Sequence, residues 1–154
     1  MQANIPVSQL LSQLNIPFTL IPLTRMVKSH GDVAQATSQI NLEDDCKTIV
    51  VQGKSGKYFA LFLRGMQHID FAKVAMAIGE KLSIISDDEL LHVTGKTKGS
   101  VCPLLLKNIE IWVDRAVLQR KQLFFSSGEK EYGLSISTAD FLKITEPKFS
   151  EFSK

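Results

Sequence analysis

Lys47 lies in the run Cys46-Lys47-Thr48-Ile49-Val50-Val51, which is otherwise largely apolar and β-branched. Burying an unpaired ammonium is costly, so a lysine in such a strand needs a physical reason. One reason is a strand-edge or strand-start position, from which the aliphatic stem carries the amine out to water. The other is a pocket mouth, where the charge faces a carbonyl or phosphate oxygen. The strand alone favours the first; the second is the functional reading. A further group is the polar loop from Thr94-Gly95 through Gly99-Ser100-Val101-Cys102-Pro103. Glycine lets backbone approach a ligand closely, and consecutive N–H groups at 99–101 could form an anion nest, although a plain connection is the commoner use of such a loop. Ser126-Ser127-Gly128 follows the apolar Leu123-Phe124-Phe125. A serine there could position a water or a ligand. It is not assigned as a nucleophile, because no histidine and acid stand at a known spacing from it. His30, His68 and His92 are scattered and read as surface or capping residues.

Other chemistries are excluded by what is missing. Gly95-Lys96-Thr97 ends like a phosphate-binding loop, but position 90 is Leu where that loop needs glycine. Gly53-Lys54-Ser55 fails in the same way, with Thr at position 48. Cys46 and Cys102 form no C-x-x-C pair and no histidine cluster accompanies them, which argues against structural zinc. Either cysteine could be a nucleophile, but a small buried hydrophobe is the usual role. No metal or organic cofactor is expected. Asp114, at a strand end, reads as the cap of the turn Asp-Arg-Ala-Val-Leu.

The elements that must position these groups follow from periodicity. Val7, Leu10, Leu11 and Leu14 recur at helical spacing, predicting a helix over 6–15. A strand is expected at 18–21, and Ser29 with Asp32 opens a helix over about 30–38 in a capping-box arrangement, Asp replacing the usual Glu. The segments 46–52 and 57–64 read as a hairpin around Gly53-Lys54-Ser55-Gly56. Asp70 caps a helix presenting Phe71, Val74, Ala75 and Ile78, which Gly79 closes. Residues 82–85 are short and apolar, and Asp87, Asp88 and Glu89 favour a further helix start. Strands are expected at 109–113, 122–125 and 134–136, then a helix capped by Ser137 through Leu142, and a tail from about residue 145 or 146. Irregular alternation with a hairpin implies an α/β chain of the α+β type, with a mixed sheet.

Its 154 residues, 44% hydrophobic and 22% charged, suit one ordered domain spanning 1–154. The N-terminal stretch lacks a charged region followed by a long apolar core, and no apolar run reaches the roughly 18 residues of a membrane span, so a cytoplasmic protein without membrane contact is expected. A net charge of +2 permits an anionic partner but lacks the basic stripe of a dedicated nucleic-acid binder. DNA is not an expected partner. If RNA is the partner, much of the affinity would come from another protein.

Taken together, these segments resemble the YbaK/EbsC family of aminoacyl-tRNA editing domains, related to the editing insertion of prolyl-tRNA synthetases. The match runs from about residue 29 to 146. Asp32-Val33-Ala34-Gln35-Ala36 precedes Cys46-Lys47-Thr48-Ile49-Val50, which is similar to the family's K-T-L-V strand, and Tyr58-Phe59-Ala60-Leu61 follows as its hairpin partner. Thr94-Gly95, Gly99 and Pro103 resemble the loop T-G-x-x-x-G-G-x-S-P. Val113-Asp114 resembles V-D, and Ser126-Ser127-Gly128, followed by Gly133-Leu134, resembles S-x-G.

The resemblance implies a curved mixed sheet flanked by helices and hydrolysis of the ester between an amino acid and the 3′ end of tRNA. It places the family's key lysine at Lys47 as the catalytic group, with Thr48, Gly99, Ser100, Val101, Ser126 and Gly128 binding substrate. The implied substrates are small amino acids, such as Cys, Ala, Ser or Thr, mischarged on the proline acceptor tRNA, with prolyl-tRNA synthetase as a candidate partner. Departures stand at Lys96, Ser100, Cys102, Ser135 and the longer turn Glu129-Lys130-Glu131-Tyr132. They leave open a non-catalytic module of the same fold that docks on a synthetase or binds an amino acid or nucleotide. A thiol enzyme using Cys102 or Cys46 is a further alternative.

Overall fold

The structure, a computed structural model, describes residues 3–154. Its first helix, α1 (Pro6–Gln13), buries Val7 and Leu11 completely, one turn apart on one face. Pro6 occupies the first helical position, where the missing N–H costs nothing. After β1 (Thr19–Pro22), α2 (His30–Ala36) opens as expected: Asp32 Oδ2 accepts from the N–H of Ser29 at 3.2 Å and of Lys28 at 2.9 Å. The hairpin of β2 (Cys46–Gly53) and β3 (Tyr58–Arg64) pairs Cys46 with Arg64 and Gln52 with Tyr58. Asp70 accepts from Lys73 N–H to cap α3 (Phe71–Ile78), which Gly79 ends at φ 97°. Then come β4 (Leu82–Ile84), α4 (Asp87–Thr94), β5 (Glu110–Asp114), β6 (Gln122–Ser126), β7 (Tyr132–Ser137), α5 (Thr138–Thr145) and β8 (Lys148–Ser150).

The mixed α+β fold is the one expected, with its strands divided between two sheets. One is antiparallel in the order β1-β7-β6; the other is mixed, in the order β4-β2-β3-β5-β8. The two meet through a core that includes Phe62 of β3, Phe125 of β6 and Phe141 of α5, whose rings stack or meet edge-on with centroids 4.5–5.4 Å apart. Leu61 and Leu63, on the opposite face of β3, pack with Val51, Trp112, Phe152 and Val74 of α3. β3 is thus buried on both faces, which is why its sequence is a continuous apolar run rather than an alternating one.

The expected tail is corrected. Thr145 ends α5, and Lys148–Ser150 adds a parallel strand to β5. Phe152 is fully buried in the second core cluster. A three-residue edge strand is too short to show a period in sequence, so only tertiary packing reveals it. Among the described residues no helix is long and apolar enough to cross a membrane.

Candidate active site

Among the described residues the two sheets are joined by one isolated parallel bridge, Asp45 to Phe124, beside the start of β2. β4 covers β2 only from Val51 to Gly53, so the first half of β2 keeps an open edge. A cavity of about 240 Å³ opens there. Its walls are the first residues of β2, the end of β6, the 98–101 loop, the segment leading into α2 and the turn before β7. That volume lies just below the roughly 300–1,000 Å³ of sites for drug-sized ligands, which suits a small group.

Lys47 lines this cavity, half-buried, and no ion pair to it exists among the described residues. Burial lowers its amine from the ordinary lysine value; Asp45 pulls it back up, and Lys98 adds to the lowering. The strand geometry therefore puts this lysine at a pocket. Beside it, the Thr48 Oγ1 atom is buried on the same wall without a hydrogen-bond partner. A buried hydroxyl without a partner carries a desolvation penalty.

Gly99 sits at φ 85°, and a Cβ there would fall 2.3 Å from the Val27 carbonyl oxygen. Only glycine lets this loop lie against the segment before α2, and that contact forms one wall of the cavity. The expected nest is corrected in one respect: the Ser100 N–H closes a turn onto the Thr97 carbonyl at 2.9 Å. The N–H groups of Gly99 and Val101 have no protein acceptor among the described residues. Ser126 lines the cavity too, its Oγ accepting from the Gly128 N–H at 3.1 Å. Gly128 itself does not line it. At φ 94° it turns the chain over Cys102 and Leu105, and its N–H holds the Ser126 hydroxyl.

Lys47, Thr48, Gly99, Ser100, Val101 and Ser126 thus converge on one cavity from three segments of the chain. Thr94 and Gly95 do not join them; they close the end of α4. Of the departures from the family pattern, Ser100 and three residues of the 129–132 turn line the cavity, whereas Lys96, Cys102 and Ser135 do not. Lys96 instead approaches Glu129 at 3.8 Å. Burial pushes the Cys102 thiol up to about 12, and the Cys46 thiol, which faces the cavity, is also raised. Both shifts disfavour the thiolate that a thiol mechanism needs.

One pair escaped the sequence reading. His30 Nδ1 lies 2.6 Å from Asp45 Oδ2, and both residues line the cavity. Burial raises the Asp45 carboxyl to about 6, against the pull of His30 and Lys47. The only signal in the sequence is an acid two places before the strand lysine. Nothing there links it to a histidine fifteen positions earlier. Around the mouth, Lys28, Lys98 and Lys130 are exposed, giving it a local positive surplus with Lys47 over Asp45 and Glu129.

Residues 25–144 match the family described as the aminoacyl-tRNA editing domain. The chain is 25% identical over 134 residues to the uncharacterized protein YwhH of Bacillus subtilis (strain 168), covering 85% of this chain and 80% of that one. It is 24% identical over 137 residues to the proline–tRNA ligase of Staphylococcus aureus (strain Newman), covering 86% of this chain but 24% of the ligase, so it spans about a quarter of that enzyme's length. Among solved structures, a hypothetical protein superposes with a TM-score of 0.88 at 20% identity, covering 96% of this chain and 99% of that one. A proposed trans-editing enzyme for prolyl-tRNA synthetase superposes with a TM-score of 0.78 at 15% identity, covering 99% of each chain. At such identities the solved structures speak for the fold.

Proposed function

The chain belongs to the aminoacyl-tRNA editing domain family, and we propose that it is a deacylase acting in trans, hydrolysing the ester that joins a small amino acid to the 3′ end of a mischarged tRNA. The observation that carries this reading is the convergence of Lys47, the Gly99–Val101 loop and Ser126 on one small cavity with a basic mouth. The ester is already activated, so the site need supply only part of a large rate enhancement. Lys47 and the N–H groups of Gly99 and Val101 hold the carbonyl oxygen as charge develops on it, or the terminal phosphate. The Ser126 hydroxyl orients the substrate, and Thr48 supplies part of the wall beside Lys47. The exposed lysines meet the phosphates of the acceptor end; with a chain charge of only +2, this attraction is local.

Selection is by size. A cavity walled by Ile49, Val101 and Phe124 excludes a larger side chain by clash more readily than it rejects a smaller one. Cys, Ala, Ser and Thr are the candidate amino acids, and the proline acceptor is the tRNA suggested by the relatives. The test is release of amino acid from a panel of tRNAs carrying these four on the proline acceptor, with wild type and Lys47→Ala side by side. Losing one oxyanion donor costs about 100- to 1,000-fold in kcat, so Lys47→Ala should be nearly inactive yet folded. Binding of charged tRNA without turnover by the wild type would instead make the chain a non-catalytic member of its family.

A further inference from the structure

The Lys47 cavity has a second chemical centre, beyond the residues that hold the substrate. His30 is the first residue of α2, and its Nδ1 is 2.6 Å from Oδ2 of Asp45, which is only 6% exposed. With the Asp45 carboxylate ionised, this short contact takes the hydrogen on Nδ1 and leaves Nε2 as the free base. Among the described residues Nε2 has no hydrogen-bond partner, and the imidazole lines the cavity with Lys47. Space for the pair is made by Gly65, where a Cβ would fall 2.1 Å from Asp45 Oδ2 and 2.7 Å from His30 Nδ1. A carboxylate that is buried, aimed at an imidazole and sheltered by a glycine is a costly arrangement for a surface cap. It is the arrangement that holds a general base in register.

We propose that His30, held by Asp45, is the general base that activates the hydrolytic water in this cavity. The role rests on the deacylase reading above and deepens it. His30 Nε2 takes a proton from water as its oxygen bonds to the ester carbonyl carbon. The resulting oxyanion is held by Lys47 and the loop N–H groups. The bond from that carbon to the ribose oxygen then breaks, and the imidazolium returns its proton to the ribose oxygen, leaving free amino acid and an uncharged tRNA end. No other reactant is needed. Asp45 is a positioning residue: it orients the ring and stabilises the transient imidazolium without touching substrate.

The charged groups near His30 set its pH response. Lys47 flanks it from β2 and Asp45 from the residue just before that strand, Asp32 lies on its own helix, and Lys28 on the segment before it. Lys98, Glu129 and Lys130 line the same cavity from the facing loops. An imidazole that must be unprotonated to act gives a rate that rises with pH through its titration.

The experiment is steady-state deacylation against pH for wild type, His30→Ala, His30→Gln and Asp45→Asn, on whichever mischarged tRNA the panel shows to be turned over. The expected result is a fall in kcat of at least about 100-fold in both His30 variants, with KM within about threefold and the rising limb of the pH profile gone. Asp45→Asn should lower kcat less than the His30 variants do, with KM within about threefold. His30→Gln keeps the bulk and polarity of the ring, so it serves if His30→Ala does not fold. A kcat within about threefold of wild type in either folded His30 variant overturns this role and leaves the deacylase reading standing. No turnover by the wild type on any charged tRNA overturns both.

Discussion

Asp114 Oδ1 accepts the backbone N–H of Phe152 at 2.8 Å, tying the end of β5 to the last residues of the chain across 38 positions. The same oxygen accepts the Ser153 N–H at 3.0 Å, and Oδ2 takes the Ser153 hydroxyl at 2.8 Å and the Ala116 N–H at 3.2 Å. The cap expected at this position is present, and it is also the clasp that seats β8 and buries Phe152. Asp114→Ala would strand these donors in a site only 1% exposed. Hydrogen bonds to a charged group contribute about 1.5–3 kcal/mol each, and unpaired buried donors add to the loss, so a total near 3 kcal/mol or more is expected. Urea denaturation reads it as a lower midpoint. Asp114 does not line the cavity, so deacylation by the folded fraction should persist. An unchanged midpoint would mean that the clasp is not holding the C-terminal segment.

The loop wall makes a sharper demand. At Gly99 the φ of 85° opposes any side chain, and so does the 2.3 Å that would separate an added Cβ from the Val27 carbonyl oxygen. The obstacle is backbone, so it cannot swing aside as a flexible side chain would. Gly99→Ala should therefore cost about 1–3 kcal/mol in strain. It should also pull the loop off the Val27–Lys28 segment and cut kcat by about 100-fold, since misplacement of about 1 Å at a reacting centre has that effect. Thermal unfolding and deacylation measured together check it. A variant with wild-type turnover would show that the contact between this loop and the segment before α2 is not what shapes the cavity.

What the sequence made legible and what it hid divide along physical lines. Lys47 was conspicuous because a charge in an apolar strand conflicts with its surroundings, and such a conflict is local. The caps at Ser29, Asp70 and Ser137 were legible for the same reason: each acts within three residues of itself. Gly128 reads as a ligand contact in sequence but does not line the cavity, because a glycine needed for a turn and one needed for ligand approach look alike in sequence. The Ser100 N–H was assigned to a nest because its turn partner, Thr97, is visible only once the backbone is placed. His30 with Asp45, and Asp114 with Phe152, are pairs made by tertiary structure, and neither partner signals the other along the chain.

Asp45 should leave a mark on stability against pH. Its carboxyl stands near 6 in the folded chain against an ordinary value of 3.8, chiefly because it is buried. Between those values the unfolded chain has released a proton that the folded chain retains. The folded state then binds more protons, so stability falls as pH rises. The favourable contribution is complete below about 3.8 and gone above about 6. It amounts to at most about 3 kcal/mol at 1.36 kcal/mol per pKa unit. Other carboxylates titrate in the same range, so the quantity to measure is the difference in unfolding free energy between wild type and Asp45→Asn at several values from about pH 3.5 to about pH 7. That difference should slope between the two pKa values and be flat on either side. A flat difference throughout would mean that Asp45 ionises in the folded chain as it does in the unfolded one.

Gly65 separates the arrangement of the His30–Asp45 pair from the presence of its members. An added Cβ would meet Asp45 Oδ2 at 2.1 Å and His30 Nδ1 at 2.7 Å, and the Gly65 backbone is not in the left-handed region, so the substitution Gly65→Ala bears first on the pair. Both ionisable groups, Lys47 and the glycine loop remain. Overpacking of this kind costs about 1–3 kcal/mol, which a thermal scan should register as a modest fall without loss of the cooperative transition. The larger effect should be catalytic: with the carboxylate pushed away, the ring loses its fixed tautomer and register, and kcat should drop by about 100-fold while KM stays within about threefold. A rise in KM as large as the fall in kcat would instead point to a collapsed cavity. Full activity would mean that the 2.6 Å contact between His30 and Asp45 is dispensable to the reaction, and that the pair serves only to seat α2.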